Sequence, residues 1–463
     1  MILNGLAPTT IDFFSSFFIV TSDLLLFSKL VLFITALLVM SGIRSFLRNH
    51  VGPFVRKTKG TPITTHQPPH FYLGNEAADA DSIISSLCYA YHEFNCAIDK
   101  EVFHVPVVAI DRKELHLRRD VELLLNKVDL QLADLVCLDE IHSLKSDNNN
   151  KESCVTLTLL DHNALSQKVL SALPSRSVVV CEILDHHIDM KQHNECAGPM
   201  RNIAFNSATN VAEVASTCTL VFEKFHATAQ DTKNSFPFEP EVATLLLGVI
   251  LLDSLNMSPQ AGKGTSRDGS ALNHLRQITS MSNMETDKMF NELSNAKTDI
   301  AFWNNLSAED CLLLDYKLFQ ARNKMNTNFN IGMSSVLLPI ERFLFFKDDV
   351  LKACDYYLTE CECDVLVIMS MVTEPEMKRE MVIVSKSEGL VSDLVSRLEH
   401  NINLQVTPLT FETHTESEVK ELVDSFKIND MYFSVVLQGN VKASRKQVAP
   451  LISAYFEQTS SSR

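Results

Sequence analysis

Short apolar runs along the chain end repeatedly on acidic residues or imidazoles. Ser177 to Leu184 is apolar and β-branched at its centre, the pattern of a strand buried on both faces, and it delivers Asp185, His186 and His187 at its carboxyl end. Phe71 to Leu73 runs into a small-residue loop carrying Asn75, Asp79 and Asp81, and Val155 to Leu160 ends on Asp161 and His162. Val242 to Leu252 is too long for an ordinary strand and predicts a buried helix with Asp253 near its end. In open α/β sheets the carboxyl ends of strands are where ligands bind, so these positions are the first candidates for a site.

Between these runs the pattern switches to helical spacing. Ile83, Ile84, Leu87, Cys88 and Tyr91 share one helical face, while Val102 to Ile110 and Leu135 to Leu138 read as further strands. Such alternation predicts a parallel α/β sheet. Lys145 to Glu152 reads as a surface loop and Phe225 to Pro240 as a polar insertion. A polar helical region from Asn273 to about Asn304 then separates two domains. Beyond it, Asp364 to Ser370 and Met381 to Ser387 predict strands and Val419 to Phe426 a helix, a smaller mixed α/β domain. The predicted boundaries are residues 66–290 for the first domain and 304–463 for the second.

Residues 1–60 differ from the rest. Leu24 to Ile43 is apolar apart from Lys29 and long enough to cross a hydrocarbon core, so it predicts a transmembrane anchor, with an amphipathic or buried N-terminal helix as the alternative, and Gly60 to Pro69 reads as a linker. Arg44, Arg48, Arg56, Lys57 and Lys59 flank it on the carboxyl side. By the positive-inside rule they would leave the large domains in the cytoplasm.

Composition narrows the partners. The chain has 463 residues, 46% of them apolar and 21% charged, with a net charge of −16. That describes globular domains with ample core and argues against binding long nucleic acid through a general basic face. The 11 cysteines form no CxxC pair and several sit inside apolar runs, the usage of a reducing compartment.

A single Asp-His-His at a strand end is more often a polar cap than a site, but here matching acidic ends recur. Burying several carboxylates together without cations costs many kcal/mol or forces protonation. Divalent ions remove that difficulty, and oxygen ligands with imidazole suit Mg²⁺, Mn²⁺ or Co²⁺ better than a thiolate-bound structural zinc.

The order N-x-x-x-D-x-D, D-H-N, D-H-H and L-L-D resembles the DHH phosphoesterase superfamily, in particular its exopolyphosphatase/prune branch, which is similar to family II inorganic pyrophosphatases. Ala215 to Val221 and Asn256 to Asp268 resemble later segments of that branch, and Ser444 to Pro450 (SRKQVAP) resembles the phosphate-gripping signature of its second domain, DHHA2. The resemblance implies a parallel-sheet DHH domain followed by a DHHA2 domain. It implies two or more divalent ions, Mn or Mg with Co also possible, held by Asn75, Asp79, Asp81, Asp161, His186 and Asp253, with Asp161 bridging. Asp185 would orient its neighbours, and His187 would face the substrate as donor or general acid. Lys317, Ser444, Arg445 and Lys446 would bind the substrate.

The implied activity is hydrolysis of a phosphoanhydride, short polyphosphate or pyrophosphate, by a water bridging two cations. Asn75 stands where pyrophosphatases of this type carry histidine, which points away from a dedicated pyrophosphatase. Some animal prune-type members replace the last His of the D-H-H motif with Arg; His187 is retained here. Leu313 and Leu314 stand where related proteins often carry basic residues, a departure that disfavours long chains. Alternatives are a phosphodiesterase acting on cyclic nucleotides at the same site, a non-catalytic adaptor with protein partners, and a RecJ-like nuclease. The last would carry a GGGH motif, which this sequence lacks.

Overall fold

The computed structural model describes residues 42–58, 69–98, 102–142, 154–173, 177–230, 238–347, 349–372 and 376–458. The chain divides into one unit ending at Leu293 and another beginning at Ser294. In the first, β1 (His70–Leu73), β2 (His104–Val107), β3 (Cys154–Leu160), β4 (Ser177–Asp185) and β5 (Arg201–Ile203) form a parallel sheet in the order β2-β1-β3-β4-β5. The register sets Leu73 opposite Leu159 and Leu160 opposite Leu184, so the carboxyl ends of β1, β3 and β4 stand level. That alignment brings the predicted ligand positions together. A small hairpin, β6 (Phe205–Asn206) and β7 (Val211–Ala212), follows.

The helix Ala80–Cys96 is buried from Ala80 to His92 and packs against β1, β2 and the helices Thr217–Gln230 and Pro240–Asp253. The last of these is the apolar run read as a helix, buried from Val242 to Leu251. Two expectations need correction. Leu135 to Leu138 is no strand: Val108 makes one isolated bridge to Cys137, and Leu138 opens the short helix Leu138–His142. Phe225 belongs to no insertion, since it lies inside the helix Thr217–Gln230 with its buried ring 4.3 Å from that of His92. Lys145 to Glu152 lies outside the described residues, as do 231–237.

The N-terminal expectation is corrected in part. The apolar segment 24–43 lies outside the described residues except for Gly42 and Ile43, and among the described residues no helix is long and apolar enough to cross a membrane. Residues 43–58, the end of that segment and its basic flank, are helical, with a π turn at Phe46–Val51, and 59–68 lie outside the described residues. Ile43, Phe46, Leu47, Val51 and Phe54 recur at helical spacing and are buried in the core of the first unit. Two of the flanking cations have acidic partners on the same unit: Arg44 pairs with Asp129 at 2.7 Å and Arg48 with Asp134 at 3.2 Å. Pairing with a folded surface accounts for them without a membrane potential.

In the second unit β8 (Tyr316–Arg322), β9 (Asn328–Val336), β10 (Val365–Val372), β11 (Lys378–Ser385), β12 (Val406–Pro408) and β13 (Tyr432–Gln438) form one sheet in the order β12-β13-β11-β10-β9-β8. Only β9 and β10 pair parallel, so the sheet is mixed. The helices Glu416–Ile428 and Arg445–Gln458 flank it.

Candidate metal centre

The loop after β1 approaches the following helix too closely for a side chain at Gly74, where a Cβ would lie 2.6 Å from the Ser82 carbonyl oxygen. Asp79 then caps the helix Ala80–Cys96, its side chain accepting from Ser82 N at 3.1 Å. Asp81, in the first turn, is buried and accepts from Ser216 Oγ (2.6 Å), Thr217 N (2.7 Å) and Cys218 N (2.9 Å). The two amides begin another helix, whose dipole favours a negative charge there. Arg118, also buried, donates from Nε and Nη2 to the carbonyls of Ala78 and Ala77 at 2.8 Å and so fixes the intervening loop.

Asp161 follows β3 with φ +64°, a left-handed conformation that Asp tolerates better than most residues. Its Oδ2 accepts from Asn75 Nδ2 and Ser82 Oγ, both at 2.7 Å. Oδ1 faces His186 Nε2 at 3.2 Å, and the same nitrogen stands 3.6 Å from Asp81 Oδ2. His186 Nδ1 donates to the Val214 carbonyl at 3.1 Å, so its Nε2 is directed at both carboxylates. Asp185, fully buried, accepts at Oδ1 from His186 N (2.7 Å), His187 N (3.1 Å) and His187 Nδ1 (2.9 Å), and at Oδ2 from Asn163 (2.5 Å). With its acceptor sites filled in this way, Asp185 orients the two histidines. The His187 side chain is more than half exposed.

The structure thus brings together Asn75, Asp81, Asp161, Asp185, His186 and His187. Among the described residues, the donors that lie mutually within 4.8 Å are those of Asp161, His186 and His187. Asp79 acts on Asp161 through its charge, and Asp253, closing its helix, acts on the buried Cys218 thiol together with Asp81; neither belongs to that tight trio. In the second unit Arg445 donates to Asp315 O and Oδ1, both at 2.6 Å, and to Met333 O at 3.3 Å. Met333 pairs with Lys317 across β8 and β9, so Arg445 and Lys317 share one patch. Ser444 and Lys446 flank Arg445 at the start of its helix.

The electrostatics test whether a cation fits. Burial and the charge of Asp81 push the Asp161 carboxyl well up from the usual range, to about 7. Burial works against charge on His186, yet its hydrogen bond to Asp161 and the charge of Asp81 raise it to about 10. One proton therefore sits where two buried carboxylates meet an imidazole, the place a divalent ion would take. The donors are oxygen and imidazole nitrogen; the nearby Cys218 thiol is pushed up by burial and stays protonated, so the set fits a divalent ion that takes oxygen and imidazole donors.

A pH dependence follows. His186 is protonated at neutral pH and must lose that proton to ligate, so Mn²⁺ affinity should rise with pH by about tenfold per unit for each proton displaced. Calorimetric titration between pH 6.5 and 8.5, in buffers of different ionisation enthalpy, reads both affinity and proton release. An affinity independent of pH contradicts the assignment.

Sequence reasoning missed the residues that hold these ligands: Ser82, Arg118, Asn163, Val214, Ser216 and Thr217. The small-residue segment from Ala215 was the one signal available for the last two.

The DHH family N-terminal domain profile matches residues 71–250 and the DHHA2 domain profile residues 291–455. The human protein named exopolyphosphatase PRUNE1 is 30% identical over 402 residues, covering 84% of this chain and 77% of that one. The Bos taurus protein of the same name is 30% identical over 404 residues, covering 85% and 78%. With both profiles matched in order and a relative of this identity aligned over most of both chains, the chain belongs to the exopolyphosphatase/prune branch of the DHH phosphoesterase superfamily.

Proposed function

We propose that this chain hydrolyses phosphoanhydride bonds in short polyphosphates or pyrophosphate, with divalent ions held by Asp79, Asp81, Asp161, His186 and Asp253. The observation that carries this reading is the His186 imidazole aimed at both Asp161 and Asp81, with Asn75 on the far oxygen of Asp161. Bound there, the ions supply positive charge to the phosphoryl oxygens and make a water acidic enough to attack near neutral pH. Asp161, whose Oδ2 accepts from Asn75 and Ser82, would hold an ion together with His186 through Oδ1.

His187 does different work. Burial opposes its charge, but the hydrogen bond to Asp185 and the charge of Asp161 outweigh that and raise its pKa, which favours the protonated ring. It can give that proton to the departing phosphate as the P–O bridge breaks, while Asp185 keeps the ring oriented. Lys317, Ser444, Arg445 and Lys446 bind the rest of the substrate's negative charge. The human and bovine proteins carry exopolyphosphatase in their names, which supports the phosphoanhydride class.

The test is phosphate release from pyrophosphate, tripolyphosphate and long polyphosphate, and formation of the nucleoside monophosphate from a cyclic nucleotide, each with Mg²⁺, Mn²⁺ and Co²⁺. Turnover should be highest on tripolyphosphate or pyrophosphate. Preference for the cyclic nucleotide establishes the phosphodiesterase instead, and inactivity on all four leaves the adaptor.

A further inference from the structure

Asp268 lies in no ligand set, yet it is fully buried beside the site. It is the third residue of the helix Ser266–Thr279 and forms a capping box with Thr265, accepting from Thr265 N and Oγ1 at 2.8 Å. Capping requires no more than that. The same carboxylate also accepts from Ala215 N, at 2.9 Å to Oδ2 and 3.1 Å to Oδ1, and from Thr219 Oγ1 at 2.6 Å. These contacts cross to the segment that holds two of the candidate ligands.

The Ala215 N–H and the Val214 carbonyl belong to one planar peptide group. Asp268 grips its N–H, and its carbonyl accepts the Nδ1 proton of His186 at 3.1 Å. An anion on the N–H side polarises the peptide and makes its carbonyl a stronger acceptor. A carbonyl can only accept, so the His186 proton is fixed on Nδ1, leaving the Nε2 lone pair for a cation. A few residues on, Ser216 Oγ, Thr217 N and Cys218 N hold Asp81 at 2.6 to 2.9 Å, and Thr219 returns to Asp268.

We propose that Asp268 is a positioning residue that sets metal affinity: by clamping Val214 to Thr219 through a carboxylate–peptide–histidine relay, it fixes His186 and Asp81 together. The proposal rests on the metal-centre reading. Asp268→Asn keeps the shape but removes the charge and meets the Ala215 and Thr265 donors with an amide. It should weaken Mn²⁺ binding by on the order of 10- to 100-fold, the usual loss when a residue behind a ligand is removed. Thr219→Val, which removes a single contact to Asp268, should weaken it by about fivefold, the worth of one hydrogen bond. Leu275→Val, on the same helix, controls for stability and should lower Tm with Mn²⁺ affinity unchanged.

Calorimetric Mn²⁺ titration of the four full-length proteins, each well below its Tm, makes the test. Weakened binding in Asp268→Asn, or in Thr219→Val should the first variant not fold, with unchanged binding in Leu275→Val, supports the relay. Wild-type affinity in both site variants, or a loss in Leu275→Val matching its Tm, overturns it and leaves the metal centre standing. No Mn²⁺ binding by the wild type overturns both.

Discussion

Asp161→Asn should abolish phosphate release, lowering kcat by at least on the order of 10³-fold, the upper end of what losing one charge-stabilising group costs. Asparagine tolerates the left-handed backbone at φ +64°, so the change removes charge without straining the chain, as alanine would. The fold should survive for an electrostatic reason too. Burial and Asp81 raise the Asp161 carboxyl to about 7, so in the metal-free protein its ionised form is disfavoured by folding. That raised value means the carboxyl's contribution to stability is present at low pH and is lost as pH rises through about 7. An uncharged amide escapes that loss but gives up the pairing with His186, so the two effects oppose each other in the metal-free variant at pH 8. Asp253→Ala should also abolish turnover. Wild-type kcat in either variant removes these carboxylates from the chemistry.

Lys446→Ala should reduce kcat/KM by on the order of 10²-fold, since a contact that strengthens as charge develops on the phosphoryl oxygens lowers kcat as well as raising KM. Lys446 is exposed, so its Tm should not move. Arg445→Ala should show the same kinetic loss together with a lower Tm, because Arg445 also joins Asp315 and the Met333 carbonyl within the second unit. Mn²⁺ affinity without substrate should be unchanged in both. Full activity in Lys446→Ala removes this patch from substrate binding.

Much of the first unit was legible because a parallel sheet writes its site into the sequence. Each strand is a short apolar run, so the candidate positions Asp161, Asp185 and His186 could be found by where the runs of β3 and β4 stop. The helix Pro240–Asp253 was legible from length alone. What holds the ligands was not, because Ser216, Thr217 and Val214 act through backbone groups and short hydroxyls that loops carry everywhere; only tertiary proximity to Asp81 and His186 gives them a role. Asp268 stood only at the end of a segment with a family resemblance, and its contact with Ala215 is a tertiary one that the sequence does not show.

The helix at 43–58 was hard to separate from the apolar segment before it, because in the sequence an apolar run continues directly into an amphipathic one. Ile43, Phe46, Leu47, Val51 and Phe54 did carry a helical period that the run obscured. In the second unit β8 was missed because its burial alternates poorly, with only Ala321 buried, and it carries Lys317 on an exposed position.

The most direct test of the metal-dependent hydrolase is phosphate release from tripolyphosphate by full-length protein stripped of metal and then given Mn²⁺, beside Asp161→Asn treated identically. The account predicts no release by the stripped protein, turnover on adding Mn²⁺, and none from the variant at any Mn²⁺ concentration. Release that persists in the stripped protein, or that the variant matches once Mn²⁺ is added, contradicts it.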